Sequence, residues 1–246
     1  MTRKEIISLN INVESYTNAI HGVTQNAKLR IPSYYCFANA HMIVEAYKDN
    51  SFKQLVNQST CTFSDGMPLV YSFKKIHQIK QDRIAGIDFM LDLIAECEIN
   101  KLSVFLFGST DNVLSNLKNE VSKSFPSLKI AGTFSPPFKK FSDEDNVHII
   151  KTINESQANV VFVSLGCPKQ ETWMAQHYQQ IEAPLLGVGA AFEIHAKMIK
   201  RAPIWFQKNG IEWLYRLVKE PKRLWKRYLI TNSIFVFLLF KKIVFK

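Results

Sequence analysis

Residues 103–121 read SVFLFGSTDNVLSNLKNEV, and this stretch decides the fold class. Ser103–Phe107 is a short apolar run of aromatic and branched residues, which predicts a buried strand. It stops at Gly108-Ser109-Thr110. Beyond it Val113, Leu114, Leu117 and Val121 recur every three or four residues, the period of a helix with one buried face. The same pattern returns along the chain. Asn159–Leu165 (NVVFVSL) ends at Gly166, and Pro168 opens a helix expected to run through Ile181. Pro184–Val188 (PLLGV) ends at Gly189, while Leu128–Thr133 (LKIAGT) leads through a Pro-Pro loop into helical periodicity at Val147, Ile150 and Ile153. Further strands are expected at Ile6–Ile11, Ser33–Ala38 and Thr60–Phe63. Continuous apolar strands alternating with helices predict an α/β fold, a mostly parallel sheet with helices on both faces.

The 246 residues are 47% apolar and 12% aromatic, ample for a packed core and incompatible with disorder. The opening MTRKEIISLN has no apolar h-region and no small-residue cleavage site, so no secretory signal is expected. Cys36, Cys61, Cys97 and Cys167 form no CxxC pair and read as reduced, buried thiols, which fits the cytoplasm. Formal net charge is +10. Residues 216–246 carry nine Lys/Arg against one acid, so +8 sits there and +2 in the 215 residues before it. Composition shifts near Ile211, which divides the chain into a catalytic domain (1–210) and a basic, aromatic C-terminal appendage (211–246). Pro221 is expected to start a short second helix in that appendage. The final run SIFVFLLFKKIVFK (233–246) is far short of the ~20 residues that span a bilayer. Its mixed aromatics and lysines suit either the membrane interface or a helix packed on the domain.

In a doubly wound sheet, ligands bind beyond the carboxyl ends of the strands. Gly108-Ser109-Thr110, Gly166-Cys167-Pro168 and Gly187-Val188-Gly189 all fall there, as diphosphate cradles or as plain tight turns. Asp65, in Phe63-Ser64-Asp65-Gly66, is placed to be a general base or to cap the helix that Pro68 begins, and spacing alone favours the cap. Asp143-Glu144-Asp145 matches a short metal-binding DxD pattern, but it follows Phe141-Ser142 and reads as a helix start, so no metal site is expected. The six histidines show no ligand spacing. Arg223 and Arg227 share a helix face, with Arg216 a turn or two earlier, and guanidinium forks of this kind grip phosphate oxygens. A Gly-rich dinucleotide fingerprint is absent, which weighs against a nucleotide-sugar epimerase. A nucleic-acid-binding module would explain the charge but not the apolar tail.

SDGMPLVYSFKK (64–75), DRIAGIDFM (82–90), VFLFGST (104–110), LGCPKQETWMA (165–175), LLGVGAAFE (185–193), KRAP (200–203) and IEWLYRLVKEPKRLWKRY (211–228) occur in this order. Together they resemble the WecG/TagA/CpsF glycosyltransferases over roughly residues 5–230. The resemblance implies a modified Rossmann-like fold and an inverting, metal-independent transfer that needs no cofactor. The donor it implies is a UDP-sugar, often an N-acetylmannosamine derivative, and the acceptor a polyprenyl-diphosphate-linked sugar. Such enzymes build teichoic acid linkage units, common antigen, capsules or exopolysaccharides. By this resemblance Asp65 becomes the base, and Asn39 is the second catalytic candidate, as a substrate contact. The substrate-binding candidates are Arg83, Gly86, Gly108, Ser109, Thr110, Gln170, Glu171, Gly189, Glu193, Arg201, Arg216, Arg223 and Arg227. UDP is expected at the strand ends, its diphosphate near Gly108–Thr110 and the start of the PKQE helix. Three departures stand out: Phe37 replaces the family's threonine before Asn39, Ser135-Pro136-Pro137-Phe138 replaces a Gly-Tyr-Phe, and Glu193 replaces an aspartate. The implied setting is the inner face of the cytoplasmic membrane, with an anionic lipid surface as partner, no nucleic acid, and a homo-oligomer allowed.

Overall fold

The computed structural model describes residues 2–208 and 210–245; of Lys208, Arg223 and Arg227 only the backbone is described. The chain opens with β1 (Arg3–Ile6), β2 (Leu9–Asn12), α1 (Tyr16–Lys28), β3 (Ser33–Ala38), α2 (Ala40–Lys48), α3 (Asn50–Asn57) and β4 (Cys61–Ser64). Next come α4 (Met67–Ser72), running into a π turn at Phe73–His77, then α5 (Gly86–Ile99), β5 (Ser103–Gly108), α6 (Asp111–Ser124) and β6 (Lys129–Phe134). The second half holds α7 (Asp143–Glu155), β7 (Val160–Ser164), α8 (Lys169–His177), β8 (Pro184–Gly187), α9 (Ala191–His195), α10 (Ile204–Lys208), α11 (Glu212–Lys219) and α12 (Pro221–Val244).

Six of the strands form one parallel sheet in the order β4-β3-β8-β7-β5-β6. Side chains along each strand alternate between two separate cores, because successive residues of a strand point to opposite faces. Tyr34, Cys36, Phe105, Phe107, Val161 and Val163 face one core, where residues of α2, α3, α7, α8 and α12 meet them. Tyr35, Phe37, Val104, Leu106, Val160 and Phe162 face the other, under α1, α5, α6 and α9. Burial on both sides is why these strands read as unbroken apolar runs. The α/β architecture expected from the sequence is therefore the one observed.

Three expected elements differ. Ile6–Ile11 is not one strand: the chain reverses at Ile7, whose φ is 61°, and β1 pairs antiparallel with β2. The helix expected from Pro168 to Ile181 begins at Lys169 and ends in a 3-10 turn over Tyr178–Gln180. The C-terminal segment, expected as a short helix followed by a separate apolar run, is one 24-residue helix. Leu224, Thr231, Phe235 and Leu238 are buried along it, with Phe235 part of the core that α2 lines. Leu229, Val236, Phe237, Phe240 and Val244 lie on the exposed side. No helix among the described residues is long and apolar enough to cross a membrane.

Candidate active site

All six strands of the main sheet point the same way, so the loops after β3, β4, β5, β7 and β8 gather at one end. There a single cavity of about 1490 Å³ runs from Asn39 and Asp65 past Gln170 and Gly189 to Ser109, Thr110 and Glu193. The C-terminal helices roof part of it with Trp213, Arg216, Tyr228 and Phe235. Ligand sites of parallel sheets lie at this end, where helix N-termini and strand-end loops converge.

Asp65 follows β4 directly, and its main-chain N–H donates to Ala38 O at 2.8 Å. The helix behind it is capped at Gly66 with no side-chain cap, so Asp65 is not the N-cap that spacing alone favours. The carboxyl is left for the cavity. Burial pushes it up to about 6, with the charges of Glu212 and Asp88 adding to the rise and those of Arg83 and Arg216 opposing it. A carboxylate held near neutrality in a cleft is suited to taking a proton from a hydroxyl. Asn39, at the end of β3, spends its Oδ1 on capping α2, accepting from the main-chain N–H groups of His41 and Met42 at 3.0 and 3.2 Å. Its amide nitrogen is what it has to offer the cavity it lines.

At the far end of the cavity the chain turns sharply after β5. Gly108 has φ 116° and Ser109 φ 58°, two successive left-handed residues. A side chain at position 108 would place its Cβ 2.2 Å from the main-chain oxygen of Ser164, so only glycine fits beside β7. Ser109 donates from Oγ to Glu193 Oε1 at 3.0 Å, and Thr110 caps α6 by accepting from Val113 N–H at 3.3 Å. Glu193 Oε2 is buried with no hydrogen-bond partner among the described residues. Between the two ends, Gln170 accepts from Gly166 N–H at 3.2 Å and donates to Gly187 O at 3.0 Å, tying the β7 loop to β8. It also donates to Glu171 Oε1 at 2.7 Å. Burial raises the Glu171 carboxyl to about 7, against the pull of Gln170 and Cys167.

The sequence-derived candidates sort by place. Asn39, Asp65, Arg83, Ser109, Thr110, Gln170, Glu171, Gly189, Glu193 and Arg216 line the cavity. Gly86 and Gly108 do not: Gly86 opens α5 against the ring of Phe37, and Gly108 makes room for β7. Arg201 is not a lining residue either, because its guanidinium grips both oxygens of Asp88 at 2.5 and 2.8 Å. The side chains of Arg223 and Arg227 lie outside the described residues. Arg216 has its Nε buried without a hydrogen-bond partner among the described residues. Asp143-Glu144-Asp145 opens α7, where Ser142 Oγ accepts from the main-chain N–H of Asp145 and Asp145 Oδ2 accepts from that of Ser142, a capping box, and Lys139 pairs with Asp145 at 3.2 Å. No group of three or more His, Cys, Asp or Glu among the described residues is placed to hold a metal. Sequence reasoning missed Asp88 and Glu212, which organise the arginines around Asp65. Both sit in the first turns of helices and look like ordinary helix-start acids.

A buried carboxyl and arginines gather around one cavity at parallel strand ends, where α/β enzymes bind their ligands, and comparison with known proteins gives the class as a glycosyltransferase. The chain belongs to the glycosyl transferase WecG/TagA/CpsF family, whose model matches residues 4–246. An N-acetylglucosaminyldiphosphoundecaprenol N-acetyl-beta-D-mannosaminyltransferase of Bacillus subtilis (strain 168) is 29% identical over 228 residues, covering 90% of this chain and 84% of the relative. The protein of the same name from Staphylococcus aureus (strain MW2) is 30% identical over 188 residues, 76% of this chain and 72% of the relative.

Proposed function

We propose that the chain moves a sugar, with inversion, from a UDP-sugar to a hydroxyl of a polyprenyl-diphosphate-linked sugar. The observation that carries this reading is Asp65, a carboxyl raised to about 6 and lining the same cavity as Ser109, Thr110 and Arg216. Asp65 takes the proton of the acceptor hydroxyl as its oxygen bonds to the anomeric carbon. The bond from that carbon to the β-phosphate oxygen breaks, and UDP leaves with the electron pair. Arg216, at the roof of the cavity, meets the charge that develops. The names of the relatives support an N-acetylmannosamine donor and an N-acetylglucosaminyl-diphosphoundecaprenol acceptor.

The sheet order also bears on how the donor lies. Three strands separate β4 from β5, so at about 4.8 Å per spacing Asp65 and Ser109 stand about 19 Å apart. A diphosphate at Gly108–Thr110 would leave its sugar short of the base. The carboxylate of Glu193 beside Ser109 also repels phosphate and suits hydroxyl groups. The nucleoside is therefore assigned to the Ser109–Glu193 end and the diphosphate to the middle, over Gly166–Gln170 and Gly189, with the sugar near Asp65. The exposed apolar side of α12, followed by Lys241 and Lys242, supports attachment to an anionic membrane surface. A panel of UDP-sugars with a short-chain polyprenyl-diphosphate N-acetylglucosamine tests the proposal. The expected result is UDP release matched by a glycosylated lipid for an N-acetylhexosamine donor. No turnover with any UDP-sugar would overturn it.

A further inference from the structure

Glu212 stands where the C-terminal helices meet the catalytic core. It is the first residue of α11 and its side chain is only 16% exposed. Oε2 accepts from Arg83 at 3.1 Å, and Oε1 lies 3.7 Å from Nε of Arg201. Arg201 is anchored on Asp88, and Arg83 donates from its own Nε to the main-chain oxygen of Asp65 at 2.9 Å. One chain of polar contacts thus runs Asp65–Arg83–Glu212–Arg201–Asp88. It joins the loop after β4, the start of α5, the segment before α10 and the start of α11.

We propose that Glu212 is a positioning residue for the transfer, a latch that fastens α11 and α12 to the Asp65 loop and keeps the charge of Arg83 divided between that loop and itself. The inference rests on Asp65 being the base. With Glu212 in place, Arg83 is not free to turn wholly toward the Asp65 carboxyl, which would hold it as a stable and therefore weak base. The same carboxylate fixes the first turn of the helix that brings Arg216 over the cavity. Closure of the roof and readiness of the base are set by one side chain. The charged groups around Asp65 are Arg83 from the segment before α5, Glu212 and Arg216 from α11, and Asp88 from α5. Behind them Arg201 faces Asp88 and Glu212, and His195 on α9 faces Asp88.

The test compares pH profiles of kcat/KM for the wild type, Glu212→Gln and Glu212→Asp, with Asp65→Asn alongside. Glu212→Gln removes the charge and releases Arg83, so the acidic limb is expected about one pH unit lower, with kcat reduced severalfold. Glu212→Asp keeps the charge and should hold the limb at its wild-type position while lowering kcat. A wild-type limb and kcat in a folded Glu212→Gln variant would overturn the latch, because a purely structural ion cluster predicts that result. If Glu212→Gln does not fold, Arg201→Gln serves: it strips a cation from the network and should move the limb upward, and an unmoved limb again overturns the latch. An inactive Asp65→Asn with an unmoved limb in Glu212→Gln refutes the latch alone. Full activity in Asp65→Asn refutes the base, and the latch with it.

Discussion

In the proposed mechanism Asp65 carries a conflict, its ionised form wanted for the transfer and opposed by its burial. Its folded carboxyl titrates at about 6, above the ordinary 3.8, chiefly because it is buried. A carboxyl raised by folding costs nothing below the unfolded value, and the cost grows as pH rises from about 4 to about 6. Above that it stands at about 3 kcal/mol for a shift of this size. Asp65→Asn, which keeps the shape without the charge, should therefore be more stable than the wild type at pH 7.5, with the gap closing near pH 4. Urea denaturation at the two pH values checks this; equal midpoints at pH 7.5 would show that the carboxyl is not strained by burial. The same titration sets activity in the opposite sense. With Asp65 as the proposed base, which works only when ionised, kcat/KM should fall as pH drops through about 6.

At the scale of elements, α12 decides one of two readings that the sequence left open and leaves the other as a proposal. Phe235 and Leu238 pack into the protein, so the helix is a structural part of the fold. Phe237 and Phe240, 65% and 64% exposed on the other side, are free to enter a membrane interface. Phe237→Ser with Phe240→Ser should leave the melting temperature unchanged and weaken sedimentation with anionic vesicles by at least about tenfold, since each loses apolar burial worth about 2 kcal/mol. Phe235→Ser should instead lower the melting temperature. Vesicle binding unaffected by the double substitution would assign attachment to the lysines alone. The strands were legible from sequence because burial on both faces leaves no polar alternation to disguise them. The β1–β2 hairpin was not, because Ile7 is an unusual residue for a left-handed turn and no Asn-Gly or Asp-Gly marks it. The strand-end loops and Asp65 could be located in the sequence, Asp65 through the resemblance. Glu212 could not, because its partner Arg83 lies 129 residues away and nothing local distinguishes it from a helix-start acid.

The whole molecule is a six-stranded parallel sheet partly roofed by a basic helical segment, and its charge follows that division. The acids that resemble a metal motif open α7, and Asp145 is occupied in capping it. EDTA should therefore leave the transfer rate within about twofold, since capping acids contribute to helix stability and not to catalysis; a loss restored by Mn²⁺ would contradict the metal-free route. The central claim is that Asp65 removes the acceptor proton. Turnover of Asp65→Asn with a UDP-sugar and a polyprenyl-diphosphate acceptor tests it most directly, with UDP affinity measured on the same sample. The expected result is a rate lower by at least about 10²-fold with UDP binding little changed, because the proposed nucleoside site is at the other end of the cavity. A folded variant with wild-type turnover would contradict it.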